Sequence, residues 1–241
     1  MTPDDEEQDQ GEPDEEEEEE LVAMSKEKSK TYRVLLDGRW NLEDLYQFPH
    51  AFSQCYAFVY CLDSSLHPRN RERINIALAG YPFRGGYSYV NIYTVLRNQV
   101  PVKERPTVKS ISYASPGWLD VLLNPEVAIQ VAKSVGILAG SAVAAAKAYT
   151  STMKYLSQVA VDRKRAQLQA MQITRDQHKT LVLMCEDMAK FLGFKSVKEL
   201  HQHTGSPEVS LKLLAAHYRK TSQIVEFVND GKVELLEKID A

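Results

Sequence analysis

A chain of 241 residues, 44% hydrophobic and 26% charged, is long enough to bury a core and has the composition of an ordinary globular protein. Its three cysteines, Cys55, Cys61 and Cys185, are too few and scattered for a disulfide framework. Without a pair of CxxC elements they do not suggest structural zinc either. These features fit a reducing compartment, and no basic-then-apolar leader speaks for secretion. The expectation is a cytoplasmic protein, with room for peripheral membrane contact.

The net charge of -4 conceals a split. Residues 4–20 hold 13 acidic side chains, and the first basic residue is Lys26. Without those 13, 20 acids face 29 bases, a net charge of about +9. Residues 1–29 therefore read as a disordered acidic tail that cannot enter a core. Such a tail is a solvating extension or a mimic of nucleic acid that occupies a basic surface of its own chain.

Residues 30–115 read as an α+β domain. Tyr32, Val34 and Leu36 alternate through Thr31–Asp37, a strand ending at Gly38. Asn41 and Asp44 form a loose capping box for a helix over Leu42–Leu62, which Pro49 should kink or divide. Residues 63–71 read as a loop. Alternation predicts strands at Arg73–Gly80 and Gly86–Leu96, joined as a hairpin through Pro82, Gly85 and Gly86, and a further strand at Thr107–Tyr113. The order β-α-β-β-β gives a small antiparallel or mixed sheet backed by the Leu42–Leu62 helix.

At Ser115-Pro116-Gly117 the pattern changes, and 116–192 reads as a long helical segment. Asn124-Pro125-Glu126 is a strong helix start. No proline follows until Pro207 and no glycine lies between Gly140 and Gly193, which permits one or two long helices. As a single helix, Ser141–Leu192 would reach roughly 75–80 Å. Residues 193–241 form a C-terminal helical segment: Gly193 is a stop, Ser196 to Glu199 a capping box, Ser206-Pro207-Glu208 a second start and Asn229-Asp230-Gly231 a close.

Val131, Val135, Leu138, Ala142, Ala145, Tyr149, Met153 and Leu156 recur at spacings of three and four, opposite a sector holding Lys133, Lys147 and Lys154. The longest uncharged run, Ser134–Ala146, has 13 residues, short of the roughly 18–20 that span a bilayer. Gly136 and Gly140 make a GxxxG directed at the lysine sector. The stripe lapses over 161–180 and returns at Leu181, Met184, Met188 and Phe191. The expected outcome is a hairpin, a bundle or an interrupted coiled coil, with these stripe residues other than Ala145 as the association surface.

No catalytic, cofactor or metal motif is present. His201 and His203 stand about 200° apart on a helix and cannot share one metal. His178, Cys185 and His217 have no metal-ligand spacing, and the run Arg175 to His178 scatters its side chains around the helix. Phe83 to Gly86 could cradle an anion but reads better as a hairpin turn. A basic band is formed by Arg69, Arg71 and Arg73 with Arg163, Lys164, Arg165, Arg175 and Lys179, the candidate polyanion-binding residues. Tyr87, Tyr89 and Tyr93 would share one face of the second strand of the expected hairpin. The leading expectation is a non-enzymatic interaction or signalling module that associates with itself or a protein partner through its long amphipathic helices. The alternatives are a membrane-active effector using the 127–156 helix and a basic nucleic-acid-binding protein regulated by the acidic tail. No cofactor is expected.

Overall fold

A computed structural model describes residues 30–62, 72–77, 88–165, 175–194 and 197–236. Within them the chain is α+β, as the sequence led us to expect. Its sheet has four antiparallel strands in the order β2-β3-β1-β4: β1 Lys30–Leu36, β2 Thr107–Ser112, β3 Gly117–Leu123 and β4 Val233–Leu235. The helices are α1 Leu42–Leu62, α2 Ser88–Gln99, α3 Pro125–Gly140, α4 Ala142–Arg165, α5 Arg175–Phe191, α6 Lys198–Thr204 and α7 Pro207–Asn229. A further helical segment spans 72–77.

β1 buries Tyr32, Val34 and Leu36 on one face, the period-two pattern seen in the sequence. α1 begins at the expected box: the Asp44 N–H donates to Asn41 Oδ1 at 2.8 Å and the Asn41 N–H to Asp44 Oδ2 at 3.0 Å. Pro49 gives up one backbone hydrogen bond without dividing the helix. The ring of Phe52 stacks on Tyr32 at 6.3 Å, so α1 does back the sheet.

Two expected strands are helical. Residues 72–77 and Ser88–Gln99 coil, because their apolar residues also satisfy the helical period: Ile92, Tyr93, Val95 and Leu96 form one buried face of α2. The connection 81–87, with its glycine-rich turn, lies outside the described residues. Conversely, Gly117–Leu123 is a strand rather than the start of the helical region. It pairs with β1 along its full length, Lys30 opposite Leu123 and Leu36 opposite Gly117. Ser115-Pro116-Gly117 thus closes a hairpin. A Cβ on Gly117 would lie 2.8 Å from both the backbone N and O of Ala114, so glycine alone fits this turn.

Asn124 caps α3 through its side-chain oxygen, which accepts from the Glu126 N–H at 3.0 Å. α3 and α4 meet at Ser141 with a bend of 95°, so the long-helix region is broken by a near right-angled corner. Gly193, with φ +73°, stops α5 shortly after its last turn, and Gly231, at φ +67°, follows α7. Of the expected box at 196–199, Ser196 lies outside the described residues; α6 itself begins after Val197.

α7 is the hub of the helical layer and packs against α1, α3, α4, α5 and α6. Leu211, Leu214, Thr221 and Ile224 are all but inaccessible on it, and each large apolar side chain so buried stabilises the fold by ~1.5–3 kcal/mol. One continuous core joins this hub to the inner face of the sheet.

Candidate functional site

The apolar stripe read from the sequence is used inside the chain. Val131, Val135, Leu138, Leu156, Leu181 and Met188 are buried, while Tyr149, Met153, Met184 and Phe191 are half-buried against the same core. Tyr149 stacks on Tyr218 of α7 at 4.6 Å. Of the eleven stripe residues proposed for association, only Ala142 is exposed.

The basic band falls only partly within the described residues. Arg69 and Arg71 lie outside the described residues. Arg73 is exposed and donates from Nη2 to the Gln99 carbonyl at 2.7 Å. Arg163, Lys164 and Arg165 close α4, Arg175 opens α5, and Lys179 is exposed on α5. Tyr93, expected on a strand face, is buried on α2, and its hydroxyl has no hydrogen-bond partner among the described residues.

Candidate nucleophiles are poorly placed. Cys55, Cys61 and Cys185 are buried, and burial pushes each thiol up to about 12, so all three stay protonated at neutral pH. His201 and Ser210 approach each other, Nδ1 to Oγ at 2.8 Å, but Ser210 is fully buried and its hydroxyl is already shared with Thr204 and the Ser206 carbonyl. A substrate does not reach that oxygen in this conformation. Beside it opens a cleft of about 600 Å³ with Phe194 and Val197 among its apolar lining and Glu186, Lys190 and His201 among its polar groups. Burial lowers the His201 pKa, which keeps the ring neutral near pH 7. Among the described residues no group of three or more His, Cys, Asp or Glu is arranged to hold a metal ion.

Among the described residues, exposed apolar side chains gather on β2 and β3. Val108 stands opposite Val121, and Ile111 opposite Leu119, on the helix-covered side of the sheet. The β3 partners are buried, at 4% and 6% exposure, yet Val108 and Ile111 are 57% and 53% exposed. The helical layer stops under β3 and leaves β2 as an apolar ledge. The ledge depends on an irregularity between Val108 and Ser110, since simple alternation would put Val108 and Ile111 on opposite faces.

On the other side of the sheet Arg33 makes a bidentate pair with Asp120, at 2.7 and 2.8 Å, and lies over the Trp118 ring at 5.0 Å. Ser110 donates to the same carboxylate at 3.1 Å, and the Arg33 hydrogen bonds hold the Asp120 pKa below the usual carboxylate range. Trp118 and Leu122 remain exposed on this face. Sequence reasoning missed these residues because Gly117–Leu123 was assigned to the helical region. The apolar-polar alternation of TrpLeuAspVal at 118–121 was the available signal.

No protein-family model, no curated protein and no solved structure matches the chain. Function therefore has to be argued from the surface itself. One other surface stands out: no single described helix is long and apolar enough to cross a membrane, but α3 and α4 through Asp162 pass that test as a bent pair.

Proposed function

We propose that the chain is a non-enzymatic association module, in which the amphipathic helices form the supporting bundle and the β2–β3 ledge meets the partner. The supporting observation is the mismatch across the ladder, with buried Val121 and Leu119 facing exposed Val108 and Ile111. An apolar strip continuous with the core but left uncovered is the kind of surface that association buries. Arg33 and Trp118 lie on the opposite face of the sheet and take no part in this contact.

Strand addition at the β2 edge is disfavoured by the chain itself. Pro106 precedes the strand, and its pairing with β3 is irregular next to Lys109, devices that blunt sheet edges. The partner therefore docks on the face. A second copy is the occupant to which the proposal commits: a two-fold contact covers Val108 and Ile111 of both chains at once, and neither residue brings a charge into the contact. Sedimentation velocity of the full chain at tens of micromolar tests this. The expected result is a dimer that Ile111→Asp converts to a folded monomer. A wild-type chain that stays monomeric, or an Ile111→Asp dimer, overturns self-association through the ledge.

A further inference from the structure

We infer that the corner between α3 and α4 is a shallow insertion site for an anionic lipid surface. The uncharged run Ser134–Ala146 wraps around the 95° bend. Its apex turns Ile137 and Val143 outward at 44% and 73% exposure, together with Gly140, Ala142, Ala144 and Ala146. Apolar atoms at the tip of a projecting corner can enter the boundary between headgroups and acyl chains without disturbing anything behind them.

Charge singles out the lipid. No acidic residue occurs between Glu126 and Asp162, although the chain as a whole is negative. The three charged side chains in that interval, Lys133, Lys147 and Lys154, are all exposed, one on α3 and two on α4. Cations flanking an uncharged apex match an interface of anionic headgroups above hydrocarbon. A protein partner would find fewer anchors there, since no aromatic residue occurs between Glu126 and Tyr149.

At the corner Ser141 is satisfied within the chain, which leaves the first N–H groups of α4 as the polar backbone there. The Ser141 N–H donates to the Leu138 carbonyl at 3.2 Å, its carbonyl accepts from the Ala145 N–H at 3.0 Å, and its hydroxyl donates to the Ile137 carbonyl at 2.7 Å. Every polar group of the one residue outside the helices is thus satisfied within the chain, as a low-dielectric medium demands. Insertion needs no unfolding either. Val131, Val135 and Leu138 stay in the core, as do Ala145, Thr152 and Leu156, so the helices keep their packing on α7 while the apex touches the bilayer.

The test uses the full chain carrying Val143→Cys labelled with an environment-sensitive dye; the native thiols are buried and leave the new one as the reactive site. Vesicles of phosphatidylcholine alone are compared with vesicles containing phosphatidylserine, at low salt. The expected result is a blue shift and co-flotation with the anionic vesicles only. Lys147→Gln and Lys154→Gln should each weaken partitioning roughly fivefold. In the unlabelled chain Val143→Asp should abolish co-flotation, whereas Leu183→Asp, at a 62% exposed position on α5, should leave it unchanged. Ile111→Asp should also leave it unchanged, which separates this site from the ledge. Absence of dye shift and flotation with phosphatidylserine vesicles overturns the inference. So does flotation that survives Ile137→Asp combined with Val143→Asp.

Discussion

The imidazole of His217 lies flat against the ring of Phe58, with centroids 4.1 Å apart and planes 5° apart. Phe194 covers it at 5.7 Å, and among the described residues neither ring nitrogen has a hydrogen-bond partner. At the centre of α7 this histidine behaves as an aromatic core residue, and burial alone pulls its pKa down to about 3.

Acid lability follows from that burial. The folded state holds the neutral ring, whereas the unfolded chain takes up a proton near pH 6.5. The stabilisation is present above pH 6.5 and is lost as pH falls toward 3, at up to about 1.4 kcal/mol per pH unit. His50 and His201 are shifted in the same direction, so they add to the slope. Thermal unfolding of His217→Phe at pH 7 and 5 should show a smaller acid-induced drop in Tm than the wild type. An unchanged drop would locate the acid response elsewhere.

Adjacent positions on α3 should respond oppositely to the same change. Leu138 is 2% exposed and Ile137 is 44% exposed. Leu138→Asp puts a carboxylate into the core and should cost at least ~3 kcal/mol, whereas Ile137→Asp should cost below about 1 kcal/mol. Urea titration followed by circular dichroism reads both.

At the hairpin, Gly117→Ala should destabilise the sheet by at least ~2 kcal/mol, because its methyl meets the Ala114 backbone and not a movable side chain. Gly140→Ala is the control: a Cβ there meets nothing within 4 Å. Equal midpoints in urea for Gly117→Ala and wild type would show that the turn is not closed as described.

The three thiols should resist a disulfide reagent at pH 8 in the native protein and react fully in denaturant, given their burial and raised pKa values. Fast labelling of even one cysteine in buffer would point to local opening around α1 or α5.

The acidic N-terminal segment should oppose anionic ligands electrostatically. Deleting residues 1–25 removes 13 acids and no base. Affinity for phosphatidylserine vesicles or a polyanion should rise, most at low salt, since screening shortens the range to about 8 Å at physiological ionic strength. Equal binding by both chains at low salt would leave the segment without this role.

Local chemistry was the legible part of the fold. Asn41 with Asp44, Asn124 before Pro125, Pro207 and Gly193 each act within one turn of chain, and each marks its boundary. Ile92, Tyr93, Val95 and Leu96 misled because β-branched and aromatic residues favour strands locally, whereas their burial is decided by packing on α1. The stripe from Val131 to Leu156 was identified correctly as an apolar face, but periodicity does not say whether the covering surface is another molecule or α7. The ledge was hidden for a related reason: the pairing irregularity that aligns Val108 with Ile111 exists only once β3 is in place.

The pairing of β1 with β3 and β4 has a consequence for synthesis on the ribosome. β1 is among the first described segments to emerge, yet its neighbours in the sheet are made much later. Leu36 waits for Val233, and the Tyr32 hydroxyl finds its acceptor, the Leu236 carbonyl, 204 positions downstream. At ~5–20 residues per second, Tyr32, Val34 and Leu36 remain without their final cover for ten seconds or more. The nascent chain therefore carries this apolar strand without its β4 neighbour until Val233 to Leu236 are made, and a holding chaperone has an opportunity to act there.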